Sequence, residues 1–329
     1  ADTGRGSALR PGDDSRARIE RVTGAMRLVL LHALPIFHVH GLFIALHPMM
    51  LAGAQVRFLV RFDPDLVIDS LAGATVFMGV PTYYHRLLNN DRFGPAACES
   101  MRLFTSGSAP MTELTHAEFT ERTGRQIVER YGMSEAGIIA SNRMDNVLAG
   151  SVGHALPGYE IRIVDDGGTV LAAGETGTVE VRGPSLCAGY WHRPDADAES
   201  RTDGWFSTGD VGSLDATERL TLEGRSSDMI ISGGLNIYPK EIEMVIDEVD
   251  GVVESAVVGH PHEDFGEAVT AYLVLEGNTS LDEIDLEPAL TSLARFKHPK
   301  SVHQIAELPR NAMGKVQKNL LRSNPAPHQ

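Results

Sequence analysis

The sequence predicts an α/β protein in which a larger N-terminal part, a sheet with helices followed by a small β-rich module, joins a smaller α+β domain through a hinge. Three observations carry that reading. Short apolar runs alternate with helix-length segments over residues 28–150, the pattern of a parallel sheet with covering helices. Over 151–224 helical periodicity nearly vanishes and short strand-like runs with turn signals take over, as in an all-β module. From Arg225 to the end, helix and strand patterns return in a compact α+β order.

Residues 1–27 are rich in Gly, Ala, Arg and Asp, show neither period, and are expected to be a poorly ordered leader. Leu28 to Leu31 behind Arg27 faintly imitates a secretion signal, but His32 interrupts it and no small-residue cleavage site follows, so it reads as a core strand. Val39 to Leu51 is the most apolar segment; it is too short to span a bilayer, contains His47 and Pro48, and is expected to be a buried helix. Strands are expected at Gln55–Val60, Ala74–Val80, Met101–Thr105 and Gln126–Arg130. In the β-rich module, Asp165-Asp166-Gly167-Gly168 makes a turn between YEIRIV and TVLAA. Tyr238-Pro239 opens a helix, because proline suits the first helical position and Ile242, Val245, Ile246 and Val249 share one face. Strands at Val252–Val258 and Val269–Leu275 and a helix from about Leu281 to Leu293 complete this domain. The boundary falls in GRSSDMIISGG, whose Gly233-Gly234 pair can flex.

Composition narrows the partners. The chain has 329 residues, 44 acidic against 29 basic, and a formal net charge of -15. That balance argues against nucleic acid or an anionic membrane as a partner. A small anionic ligand requires positive charge gathered locally, and PRNAMGKVQKNLLR (309–322) gathers it: Arg310, Lys315, Lys318 and Arg322 with no acidic residue. The stretch is either a solvating tail or a cationic arm. Cys98 and Cys187 are too few for a disulfide scaffold, lack a His-Asp context for nucleophilic roles, and suit a reducing, cytoplasmic setting.

Several short segments suit a nucleotide. Gly107, Ser108 and Ala109 lie in SGSAP between a strand and a helix beginning near Thr112; small residues there let a flat ligand approach the backbone, or simply make the turn. In YGMSE (131–135), Tyr131 either stacks on a base or packs in the core, and Ser134 can hydrogen-bond a phosphate oxygen. Glu135 either helps hold Mg²⁺, which needs few carboxylates beside nucleotide oxygens, or sits at a helix N-terminus. Asp210, closing GWFSTGD, offers an acceptor-only carboxylate for paired hydroxyls or simply ends a turn. Arg86 follows Pro81 on a helix and is either buried, needing a carboxylate partner, or exposed. His38 and His40 in FHVH, read as alternate residues of a strand, face opposite sides and do not pair on a metal.

Taken together, SGSAP (106–110), ERYGMSE (129–135), GWFSTGD (204–210), GRSSDMIISGGLNIYPKEIE (224–243) and PRNAMGK (309–315) occur in the order in which they stand in the adenylate-forming acyl-CoA synthetases, and the chain after His32 resembles that family over nearly its whole length. LPIFHVHGLF, MGVPTYYHRLL and VVESAVVGHPHEDFGEAVTA look most like malonyl-CoA synthetases. The resemblance implies ATP, Mg²⁺ and CoA as cofactor and co-substrates and a small carboxylic acid as substrate. It implies a nucleotide site at Gly107, Ser108, Ala109, Tyr131, Gly132, Met133 and Ser134, with Glu135 on the metal and Asp210 and Arg225 on the ribose. It further implies an acyl site at His38 and Arg86, a hinge at Ser227 and Asp228, a pantetheine path along Gly233 and Gly234, and catalysis of adenylation by Lys315 on the Met313-Gly314 turn. Ser134 stands where threonine is commoner in the family and keeps the hydroxyl.

The family's phosphate loop, a Ser/Thr- and Gly-rich run ending Pro-Lys-Gly, has no counterpart: TGRGSALRPG lacks the consecutive hydroxyls and the lysine. The expectation is therefore a truncated malonyl-CoA synthetase whose cut sheet edge invites self-association. The alternatives are a non-catalytic nucleotide- or CoA-binding remnant, or a CoA ligase for another acid such as methylmalonate or a medium-chain acid.

Overall fold

The computed structural model describes residues 28–311 and 315–323; the expected leader and the Met313-Gly314 turn lie outside them. The first sheet has seven strands in the order β2-β1-β3-β4-β5-β6-β7: β1 (Val29–His32), β2 (Gln55–Phe58), β3 (Val76–Gly79), β4 (Leu103–Ser106), β5 (Ile127–Met133), β6 (Gly137–Ser141) and β7 (His154–Ala155). β1 to β5 pair in parallel, and β6 and β7 are antiparallel. Leu31, Phe77, Phe104 and Ile127 face the helices Pro81–Leu88 and Glu113–Thr123 and pack with Tyr84, Leu87 and Phe119. Leu30, Val76 and Met78 point to the other face, onto Ala45. β2 is the edge, and Phe58 and Val60 at its end are exposed. With β2 and β3 paired on opposite sides of β1, the strand order reverses there, and a ligand crevice is expected outside the carboxyl ends of the central strands.

The second sheet is antiparallel, with strands β8 (Glu160–Val164), β9 (Gly177–Arg182), β10 (Arg201–Thr202), β11 (Trp205–Leu214) and β12 (Leu220–Arg225). Asp165 O accepts from Gly168 N at the foreseen turn. The third sheet joins β13 (Ile230–Ser232), β14 (Leu235–Ile237), β15 (Val252–His262), β16 (Gly266–Leu275) and β17 (Ser301–Gln304), with the helix Pro239–Ile246 burying Ile242 and Ile246 against it.

Local detail corrects two expectations and refines two others. Val39–Leu51 is helical, as a π-helix at His40–Leu46 running into an α-helix at His47–Leu51, yet only His40, Gly41 and Ala45 are buried, while Phe43, Met50 and Leu51 are exposed. Its apolar run exceeds the single stripe that the sheet covers. The helix expected over Leu281–Leu293 is broken into a 3-10 turn, Leu281–Glu283, and a short helix, Glu287–Leu290. Ser280 and Glu283 close a capping box on the turn, and Pro288 restarts the helix at its first positions. Gly233-Gly234 is a tight hairpin turn between β13 and β14 with φ of 59° and 78°, with Gly233 N donating to Phe265 O. Glu135 stands in the turn between antiparallel β5 and β6, so no helix begins there. No helix among the described residues is long and apolar enough to cross a membrane.

Candidate active site

A cavity opens at the carboxyl ends of the strands. His38, Val39, His40 and Ile44 come from the segment after β1, Gly107 and Ser108 from the end of β4, and Arg130 to Glu135 from β5 and its turn. Arg225 closes it at the end of β12, and Lys315 enters from the C-terminal domain. Close backbone approach explains the glycine of ERYGMSE: a Cβ on Gly132 would lie 2.1 Å from Gly137 O. Ser108 holds a left-handed φ of 70°, a conformation that non-glycine residues adopt at a cost and mostly where a site over-determines them.

Beneath the cavity Tyr131 Oη donates to Asp210 Oδ2, while Arg225 Nε meets Asp210 Oδ1 at 2.8 Å and its Nη1 donates to Thr208 O at 3.0 Å. Burial pushes the Asp210 carboxyl up, and Arg225, Tyr131 and Lys315 oppose that. Tyr131 is thus both packed in the β-module core and at the cavity wall. Glu135 Oε1 accepts from Tyr190 Oη at 3.1 Å. Among the described residues no group of three or more His, Cys, Asp or Glu side chains could hold a metal ion. Glu135 alone fits the chemistry of Mg²⁺, a cation content with one or two carboxylates plus phosphate oxygens.

The Lys315 ammonium is drawn down by burial and by Arg225, and held up by Asp210 and Glu135. Asn311 Oδ1 accepts from Lys315 N at 3.1 Å, and Arg310 pairs with Val316 in an isolated antiparallel bridge. His40 Nδ1 lies 3.1 Å from Ser108 Oγ; burial first, then Arg130, His38 and His32, bring its imidazole down to about 4. Burial and then Lys315 lower His38.

Of the residues expected from sequence, His38, Gly107, Ser108, Tyr131, Gly132, Met133, Ser134, Glu135, Arg225 and Lys315 converge on this cavity. Asp210 underlies it; Ala109 and the Gly233-Gly234 turn are not among its lining residues. Ser227 and Asp228 lie in a 3-10 turn whose carbonyls accept from Arg322 Nη1 at 3.2 Å and Nη2 at 3.1 Å. Two expectations change. Arg86 is exposed, because it lies off the helix face that Tyr84, Leu87 and Leu88 bury, and it does not line the cavity. His38 and His40 do not alternate on a strand: they stand in a turn and at the start of the π-helix, His40 N donates to His38 Nδ1 at 3.2 Å, and both reach the cavity. Sequence reasoning missed Arg130 and Tyr190; Arg130 was legible as a charge inside an otherwise strand-like run, IVERYGM.

Comparison with known proteins decides the family. Residues 14–191 match the model of the AMP-binding enzymes, and residues 241–315 that of the AMP-binding enzyme C-terminal domain. The chain belongs to the AMP-binding enzymes. Similar members of the family include an indoleacetate–CoA ligase of Aromatoleum aromaticum, 39% identical over 299 residues, covering 89% of this chain and 58% of that protein. A long-chain-fatty-acid–CoA ligase of Yersinia pestis is 33% identical over 301 residues, covering 90% and 54%. The chain therefore spans a little over half the length of these curated relatives. ATP-bound MatB from Rhodopseudomonas palustris superposes with a TM-score of 0.87 at 46% identity, covering 94% of this chain and 63% of that one. Apo MatB, at the same identity and coverage, gives 0.73.

Proposed function

We propose that the chain serves an ATP-dependent acid–CoA ligase acting on malonate. The carboxylate oxygen of the acid attacks the α-phosphorus of ATP, pyrophosphate leaves, and the acyl-adenylate forms. The thiol of CoA then attacks the acyl carbon, forming the thioester and releasing AMP. Glu135 would help hold Mg²⁺, whose charge offsets that of the phosphates; Asp210 and Arg225 would hold the ribose, with Gly107, Ser108, Ala109 and Tyr131 around the adenine. His38 borders the acyl group.

The observation that carries this reading is the position of Lys315. A cation from the second domain lines the same cavity as Tyr131–Glu135 and Arg225. Attack on phosphorus brings two anions together and builds charge on phosphoryl oxygens, so an ammonium there stabilises the transition state more than the ground state. Ser227 and Asp228, the turn joining the domains, would let it withdraw for thioester formation. The likeness to MatB and the segments resembling malonyl-CoA synthetases support malonate; the curated relatives' names, indoleacetate and long-chain fatty acid, keep another acid as the competing reading.

The test is malonate-dependent AMP formation with CoA by the chain and by Lys315→Ala. The loss expected is on the order of a hundred- to a thousandfold, as for removal of a preorganised donor. Equal rates would remove Lys315 from the mechanism, and indoleacetate or a fatty acid turning over faster than malonate would displace the substrate assignment. The proposed setting is cytoplasmic. Self-association through the β2 edge, where Phe58 and Val60 are exposed, is checked by sedimentation.

A further inference from the structure

A loop of the β-rich module grips Glu135 at two points, its backbone and its carboxylate. The loop, residues 183–193, leaves β9 and runs to the helix Pro194–Ser200. Its Cys187 N donates to Glu135 O at 2.6 Å, and its Tyr190 Oη donates to Glu135 Oε1 at 3.1 Å. The other carboxylate oxygen, Oε2, has no hydrogen bond or ion pair with the chain among the described residues, and Glu135 lines the cavity.

The loop is itself tied down where it touches Glu135. Asp197, on the helix, accepts from Tyr190 N at 3.0 Å through Oδ1 and at 3.1 Å through Oδ2. A Cβ on Gly189 would lie 2.7 Å from Asp197 Oδ2, so the glycine before Tyr190 is what lets the carboxylate approach. Arg201 Nε lies 3.5 Å from Asp197 Oδ1, and Arg201 Nη2 donates to Cys187 O at 2.6 Å. Both residues that touch Glu135 are therefore anchored by one ion pair, Asp197 with Arg201, and the Tyr190 ring packs against the core of the module.

What the phenol adds is orientation. The backbone of the β5–β6 turn is already held by two other bonds, Cys187 N to Glu135 O and Tyr159 Oη to Ala136 O at 2.5 Å. The Tyr190 hydroxyl bonds to the carboxylate alone, so it fixes a side chain that is otherwise free to rotate. A carboxylate held in advance loses less conformational freedom when it meets a cation. We infer that Tyr190 is a positioning residue, whose phenolic hydroxyl orients Glu135 so that its unpartnered oxygen is offered to the Mg²⁺ that accompanies the triphosphate. This rests on the reading of Glu135 as a carboxylate that helps hold the metal, and assigns the group that sets its pose.

The experiment reads metal binding as well as nucleotide binding. Calorimetric titration measures the affinity of the full chain for AMP and for ATP with and without Mg²⁺, and electron paramagnetic resonance follows Mn²⁺ bound together with ATP. The proteins are wild type, Tyr190→Phe, Glu135→Gln, the double variant and Tyr159→Phe. Tyr190→Phe keeps the ring, and metal binding is expected to weaken about tenfold or more, as for loss of a group that orients a metal ligand. AMP, and ATP without metal, should change less than about twofold in that variant, and in the Glu135→Gln background Tyr190→Phe should add less than about twofold, because the hydroxyl acts through that carboxylate. Tyr159→Phe frees only a backbone carbonyl and should leave metal binding within about twofold of wild type. Unchanged metal affinity in Tyr190→Phe beside a loss in Glu135→Gln overturns the inference and leaves the metal reading standing. Equal loss of metal, ATP and AMP in Tyr190→Phe, or the same metal loss in Tyr159→Phe, marks a structural role and also overturns it, as does an undiminished effect in the double variant. A Glu135→Gln chain that binds metal as wild type does, or a wild-type chain whose ATP affinity ignores Mg²⁺, defeats the metal reading and the inference together.

Discussion

Glu129 offers a stability prediction whose sign and size come from one buried carboxyl. It is 5% exposed, its Oε1 has no hydrogen-bond partner, and burial pushes its pKa from 4.5 to about 8 against the backbone N–H groups of Gly150 and Met111. The native state thus holds this proton more tightly than the unfolded chain. Between pH 4.5 and about 8 the native state binds more protons, so stability falls as pH rises. The contribution is whole below the unfolded pKa and lost as pH rises through the folded one. At about 1.4 kcal/mol per pKa unit, ionising Glu129 in place opposes folding by on the order of 4–5 kcal/mol. Glu129→Gln removes the titration and leaves one buried amide donor to be satisfied, an offset of about 1–3 kcal/mol. The variant is expected to be slightly less stable than wild type near pH 5 and more stable, by a few kcal/mol, above pH 8. Urea unfolding midpoints of both proteins from pH 5 to 9 check this, because Asp247 and every other titrating group cancels in the difference. Parallel curves across that range would refute the reasoning.

Gly132→Ala would place a Cβ 2.1 Å from Gly137 O, so the β5–β6 hairpin must shift; a stability loss of about 1–3 kcal/mol is expected by thermal melting, as for overpacking. Tyr131→Phe removes the donor to the buried Asp210 carboxylate; a loss of about 1.5–3 kcal/mol is expected, together with weaker AMP binding by calorimetry. Lys318 Nζ lies 2.6 Å from Glu243 Oε1. Lys318→Ala leaves that buried carboxylate with Val257 N at 2.8 Å and Lys240 Nζ at 4.0 Å, and chemical denaturation should show a loss of about 1.5–3 kcal/mol, as for one charge-assisted bond.

Much of the fold is legible because local rules and burial agree. The strand at Val76–Gly79 and the helix at Pro239–Ile246 declare themselves by runs and faces that each element must bury. The helix expected at Leu281–Leu293 fails for the opposite reason: a capping box and a proline, each a short-range signal, outweigh the apolar spacing. In the site, Tyr131–Glu135 and Lys315 are legible as motifs, whereas the two histidines are misread because FHVH alternates like a strand but folds as a turn into a π-helix.

By itself the sequence determined the class of fold, the order of its parts and the segments that build the cavity, since periodicity and turn chemistry are properties of neighbours along the chain. Only the tertiary structure decided which arginine is exposed and which lines the cavity, and that a lysine near the C-terminus reaches residues some 180 positions earlier, Ser134 and Glu135. The physical reason is that alternation tells which side of a strand a residue faces, while what stands opposite it is set by packing between elements distant in sequence.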